Sequence, residues 1–216
     1  MWPSHTDPAA IPSAAITRLH DDATAAFFRD GCQRPSPAEP IWQALSENHR
    51  NNMNLWAEED LARRRRAPDS AIAANKRAID GYNQARNDAT ERMDDLIAAA
   101  LGERMRDGAR QNSETPGSII DRMSIASLKI FHMRAQVTRP DVDAAHRDTC
   151  TARWQRLIQQ RTVLAACLDE LLADCRRGAA RFGVYRQYKM YNDPQLNMAL
   201  VREGTPALAT LSTGLR

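Results

Sequence analysis

Between Pro68 and Gly102 the chain carries no proline and a single glycine, and its apolar side chains recur at helical spacing. Ile72, Ile79, Tyr82, Ala89, Met93, Leu96 and Ala100 share one stripe. An uninterrupted run of this length can bury such a stripe only as a long amphipathic helix packed against other helices. The expected helix opens after the turn at 67–70, capped by Asp69 or Ser70, and closes at Leu101. One member breaks the stripe: Arg86 lies four residues after Tyr82 and three before Ala89, so a guanidinium stands where a core wants an apolar group.

The pattern repeats on either side. A short helix is expected over 13–29, using Ile16, Leu19, Ala23 and Phe27. GCQRPSPAEP at 31–40 breaks it. A second helix is expected over 41–66, with Trp42, Leu45, His49, Asn52, Trp56, Glu59 and Arg63 on one face. Residues 102–117 form a connection, and Thr115 before Pro116 fits an N-cap and a first-turn proline. The helix that follows is apolar on several sides: Ile119, Met123, Ile130 and Met133 on one, Ile125 and Leu128 further round. It reads as the central helix. A turn at 138–141 leads to a last long helix, about Val142 to Arg181, with a seam of Trp154, Leu157, Leu164, Leu168, Leu171 and Cys175. A kink or break is expected near Asp148 or Arg161. No β-rich alternating run and no internal repeat competes with these helices. The expected fold is all-α: a single-domain bundle over 13–203, with about four long helices, a short leading helix and a C-terminal tail. Residues 1–12 and 204–216 are expected to be loose.

Composition narrows the function classes. The 216 residues suffice for one well-packed domain, and 30 basic against 27 acidic side chains leave a formal charge of only +3. That balance argues against nucleic acid as a partner. No apolar run approaches the roughly 18 residues of a membrane span, and the N-terminus lacks a signal-peptide pattern. Cys32, Cys150, Cys167 and Cys175 contain no CxxC pair and read as reduced thiols of a cytoplasmic protein.

The polar residues near the seams are the candidates for function. Arg86 suits an anion clamp, since a planar guanidinium presents paired donors to carboxylate or phosphate. It also suits a snorkelling side chain, or a structural ion pair with Glu59 or Asp60 on the preceding helix. Glu59 is the expected partner, leaving Asp60 to face a ligand. Asp80, Asn83 and Asn87 lie beside Arg86, with Lys76 one turn earlier. They read either as a solvated face or as the wall of a polar cavity. His49 can serve as a general base or as a structural group. Asp121, three after Ser118, fits a capping-box variant or a catalytic carboxylate. Lys129 and His132 return to an otherwise apolar face.

Tyr185, Arg186, Tyr188, Lys189 and Tyr191 form an aromatic and basic cluster, readable as a phosphate lid, a packing strap or a base-stacking surface. No GxGxxG, Walker, HExxH or GxSxG motif occurs. Asp143 and His146 have i, i+3 spacing, but the chain has no ExxH motif, so no metal site is assigned. The candidates are thus His49, Asp60, Asp80, Asp121 and His132 for catalysis. Glu59, Arg63, Lys76, Asn83, Arg86, Asn87, Lys129, Tyr185, Arg186 and Lys189 are the candidates for ligand binding. No cofactor is identified.

The blocks HRNNMNLWAEEDLARR, KRAIDGYNQARND, TPGSIIDRMSIASLKIFHM and YRQYKMYNDPQLN resemble, in this order, a bacterial family described only as a domain of unknown function, number 4254. The likeness covers roughly Ile41 to Leu200. It falls on His49, Trp56, Glu59, Asp60 and Arg63, on Lys76, Arg77, Asp80, Asn83, Arg86, Asn87 and Asp88, on Thr115, Pro116, Gly117, Asp121, Arg122, Lys129 and His132, and on Tyr185, Arg186, Lys189, Tyr191, Asn192, Asp193 and Pro194. Two positions depart from it. Ala57 stands where relatives commonly have histidine, and Arg134, Ala135 and Gln136 stand where an acidic residue is common. The resemblance implies a helical protein in the setting of surface-polysaccharide assembly. Two functions fit. One is an enzyme acting on a small anionic, hydroxyl- or amine-bearing metabolite, such as a sugar phosphate or nucleotide-sugar. The other is a non-catalytic helical partner or scaffold for a glycosyltransferase or other biosynthetic enzyme. A homodimer fits either; nucleic acid and membrane fit neither.

Overall fold

The computed structural model describes residues 7–32, 38–190 and 193–204. Its elements are α1 (Ser13–Asp30), α2 (Pro40–Ala62), α3 (Asp69–Leu101), β1 (Arg110–Asn112), α4 (Pro116–Val137), α5 (Ala144–Arg176), β2 (Ala180–Phe182) and α6 (Met198–Gly204). The expected all-α bundle is present. It occupies the unit that ends at Tyr185, and residues 186–190 and 193–204 belong to a second unit.

α2 and α3 form an antiparallel hairpin. Asn75 donates to Glu58 near the connecting turn, and Arg92 pairs with Glu47 at the far end. α4 packs along α5, and α1 lies across α2 and α4. The stripes meet in a core that includes Trp42, Leu45, Met93, Ile97, Met123 and Leu168, none with any exposed surface. Burying side chains of this size provides most of the stabilisation, at about 1.5–3 kcal/mol for each apolar side chain.

Several local expectations change. α2 stops at Ala62, well short of residue 66. Neither Asp69 nor Ser70 caps α3; Pro68 holds the N-cap position and Asp69 lies in the first turn, where its charge favours the helix N-terminus. The capping box of α4 joins Thr115 to Ser118, which frees Asp121 from any capping role. α5 runs unbroken past Asp148 and Arg161 but ends at Arg176, and Gly178 follows in the left-handed region. The chain then forms β2, which pairs in parallel with β1 and buries Ala180 and Phe182. Ahead of α1, the segment expected to be loose places Ala9 and Ile11 in the core.

One glycine sets the approach of α4 to α3. A methyl group at Gly117 would lie 2.7 Å from both the Thr90 carbonyl oxygen and Asp94 Oδ1. The Gly117 N–H donates to that same Asp94 oxygen at 2.6 Å. The absence of a side chain lets the first turn of α4 rest on α3, which brings Asp121 and Ser124 to face α2 and α3.

In the second unit, Asp193 organises the expected turn by accepting from the Gln195 N–H, and Asn197 accepts from Ala199 at the start of α6. Tyr191, Asn192 and residues 205–216 lie outside the described residues.

Candidate functional site

Asn48 and Asn52 lie one turn apart on α2, so both amides point the same way. Asp121 and Ser124 face them from α4, and Arg86 and Thr90 from α3. Asn48 donates to Asp121 Oδ1 at 2.9 Å and to Thr90 Oγ1 at 3.1 Å. Asn52 donates to the same Asp121 oxygen at 2.9 Å and to Ser124 Oγ at 2.9 Å. Two neutral amides therefore hold one carboxylate oxygen. Its charged neighbour is Arg86, whose Nε lies 3.7 Å from that oxygen. The distance allows Coulombic attraction but is too long for a hydrogen bond. Arg86 Nε is itself buried and has no hydrogen-bond partner among the described residues.

The network continues inward. His49 Nδ1 meets Ser124 Oγ at 2.7 Å, and its Nε2 meets Thr24 Oγ1 on α1 at 3.0 Å. A neutral ring with its proton on Nε2 satisfies both contacts, the Ser124 hydroxyl donating to Nδ1. His49 has no exposed surface, and burial lowers its pKa to about 3 against a weaker upward pull from the His20 main chain. His20 stacks on it, ring centroids 4.5 Å apart. Burial, then His49, then the nearby Arg161 guanidinium push the His20 pKa well below its ordinary value. Arg161 reaches in from α5, donating to Ser127 at 2.8 Å and pairing with Asp21.

His132 lies along the same helix pair, stacked on Trp56 with centroids 4.3 Å apart and planes 3° from parallel. Burial lowers its pKa, and Asp60 raises it by a smaller amount. Its Nε2 is buried without a partner among the described residues.

The structure thus brings His49, Arg86 and Asp121 into one network and scatters other candidates. Glu59 does not meet Arg86: it pairs with Arg63 on the outer side of α2. The hairpin register explains this. Glu58 lies level with Asn75, and about 16 Å of helix separates Asn75 from Arg86. Asp80 pairs with Lys76 and is exposed. Six residues at about 100° each turn it roughly 120° away from Arg86. Asp60 and Lys129 are exposed, Asn83 is half-buried and Asn87 is buried. Tyr185, at the end of the first unit, is exposed. Arg186 is exposed and Lys189 half-buried, both in the second unit.

Asp143, considered as half of a metal-ligand pair, accepts from the His146 N–H and caps α5. Among the described residues, no three His, Cys, Asp or Glu side chains converge as a metal site. No described helix is long and apolar enough to cross a membrane.

Sequence reasoning passed over Asn48, Ser124, His20, Thr24 and Arg161. Two signals were available. Asn48 is three residues past Leu45 on the apolar face of α2. Arg161 fills the gap between Leu157 and Leu164 in the α5 seam, the same anomaly that marks Arg86.

No curated protein and no solved structure matches the chain. A family profile matches residues 42–184, a span that holds the Asn48–Asn52–Asp121–Ser124 cluster and Arg86. The chain belongs to that family, described as "Protein of unknown function (DUF4254)".

Proposed function

We propose that the chain binds a small anionic metabolite bearing hydroxyl or amine groups, a sugar phosphate or nucleotide-sugar, beside Arg86 and Asp121. The carrying observation is Arg86 Nε, without a hydrogen-bond partner among the described residues and buried beside a carboxylate that two asparagines already hold. A guanidinium in this position lacks a bidentate partner, and a ligand phosphate or carboxylate would supply one. The second oxygen of Asp121 accepts no hydrogen bond from a described residue, so it can receive a ligand hydroxyl or amine. In an enzymatic reading Asp121 is the proton acceptor and Arg86 the anion holder. His49 is a positioning residue in this reading, because both its ring nitrogens are engaged inside the bundle. Thermal-shift titration of the full chain with glucose 1-phosphate, UDP-glucose and glucose tests the proposal. Stabilisation by the two phosphorylated sugars and not by glucose is expected; no stabilisation by either contradicts it.

The burial of Asn48, His49 and Ser124 favours a second reading, in which the network fixes helix register in a non-catalytic partner of a biosynthetic enzyme. It predicts a stoichiometric partner on purification from the native host and no response to phosphorylated sugars.

A further inference from the structure

Thr24, which meets His49 Nε2, also lines a groove of about 650 Å³ between α1, α4 and α5. This volume is in the range of small-molecule sites. Ile130, Phe131, Trp154 and Ile158 give it apolar walls. Its charge comes from Arg29, Arg134 and Arg161 against Asp21. Asp21 is matched by Arg161, which also donates to Ser127. Arg29 and Arg134, on facing helices, are exposed and have no carboxylate or hydrogen-bond partner among the described residues. Two unneutralised cations therefore flank an apolar cleft. A further donor, the Trp154 indole N–H, is buried without an acceptor among the described residues.

A neutral apolar molecule would leave the arginines unused, and a bare anion such as inorganic phosphate would leave the walls unused. Cations would meet two guanidinium groups. The chemistry that uses every feature is one negative charge on an apolar body, with the head on Arg29 and Arg134 and the body against Phe131 and Ile158. We propose that this groove is a second ligand site, for a small amphipathic anion such as a medium-chain or aromatic carboxylate. The site is separate from the Arg86–Asp121 pair and linked to it through Thr24, His49, Ser124, Asn52 and Asp121.

The test titrates the full chain calorimetrically with octanoate, octylammonium and inorganic phosphate. Saturable one-to-one binding of octanoate is expected, with both comparators at least about tenfold weaker. Arg29→Gln with Arg134→Gln should weaken octanoate at least about tenfold without changing the melting temperature, since both side chains are exposed. Arg86→Met should leave octanoate binding unchanged, which separates this site from the first. The proposal is overturned by absent octanoate binding, by equal binding of octylammonium, by full affinity in the double variant, or by loss of octanoate binding in Arg86→Met.

Discussion

The rings of His20 and His49 stack 4.5 Å apart, 24° from parallel, and neither has any exposed surface. Both are held neutral, since each folded-state pKa lies below the ordinary 6.5 and that of His49 is near 3. The unfolded chain therefore binds more protons than the folded one between about pH 6.5 and pH 3, and stability falls as pH drops through that window. Between pH 6.5 and pH 5 the loss from His49 is about 1.5–2 kcal/mol, and His20 adds a loss of the same sign. Urea unfolding at a series of pH values should show this slope, and His20→Leu should reduce it. A pH-independent midpoint between 7 and 5 would contradict the assignment.

Ser124 supplies hydrogen bonds to both His49 and Asn52. Ser124→Ala leaves His49 Nδ1 buried without a partner, a loss of about 1–3 kcal/mol. Because the same hydroxyl accepts from Asn52, Ser124→Ala and Asn52→Ala should be non-additive by about 0.5–3 kcal/mol. Additive losses in a double-mutant cycle would mean that the network does not act as a unit.

Gly117→Ala places a methyl group 2.7 Å from the Thr90 carbonyl oxygen, so α4 must move off α3. A loss of roughly 1–3 kcal/mol is expected, as for other overpacked contacts. Gly81→Ala, in a helix interior with open space around the added methyl group, should instead stabilise by about 0.5–1 kcal/mol. Thermal melts of the two variants should move in opposite directions.

The helices were legible because their apolar stripes are long, as the match of α3 to its stripe from Ile72 to Ala100 illustrates. Arg86 was legible as the charged member of that stripe. Its neighbour was not: Glu59 fits the α2 face, but the antiparallel register puts α3 residue 86 level with Asn48 and Asn52, and only packing of α4 brings Asp121 there. Periodicity describes each helix about its own axis and carries no information on which helices touch. β1 and β2 have three residues each, too few for an alternating pattern to register. Ser124 is a short polar residue that sequence alone assigns equally well to solvent.

Arg86→Met gives the most direct test of the anion site. The substitution keeps most of the side chain's bulk and removes a half-buried guanidinium that makes no hydrogen bond to Asp121, so the fold should persist with at most a modest fall in melting temperature from the lost attraction to Asp121. Isothermal calorimetry with glucose 1-phosphate should show binding to the native chain and at least a roughly hundredfold weaker signal for the variant, the loss of a bidentate charged contact. Equal affinity in the native and Arg86→Met proteins, with both folded, would contradict the site.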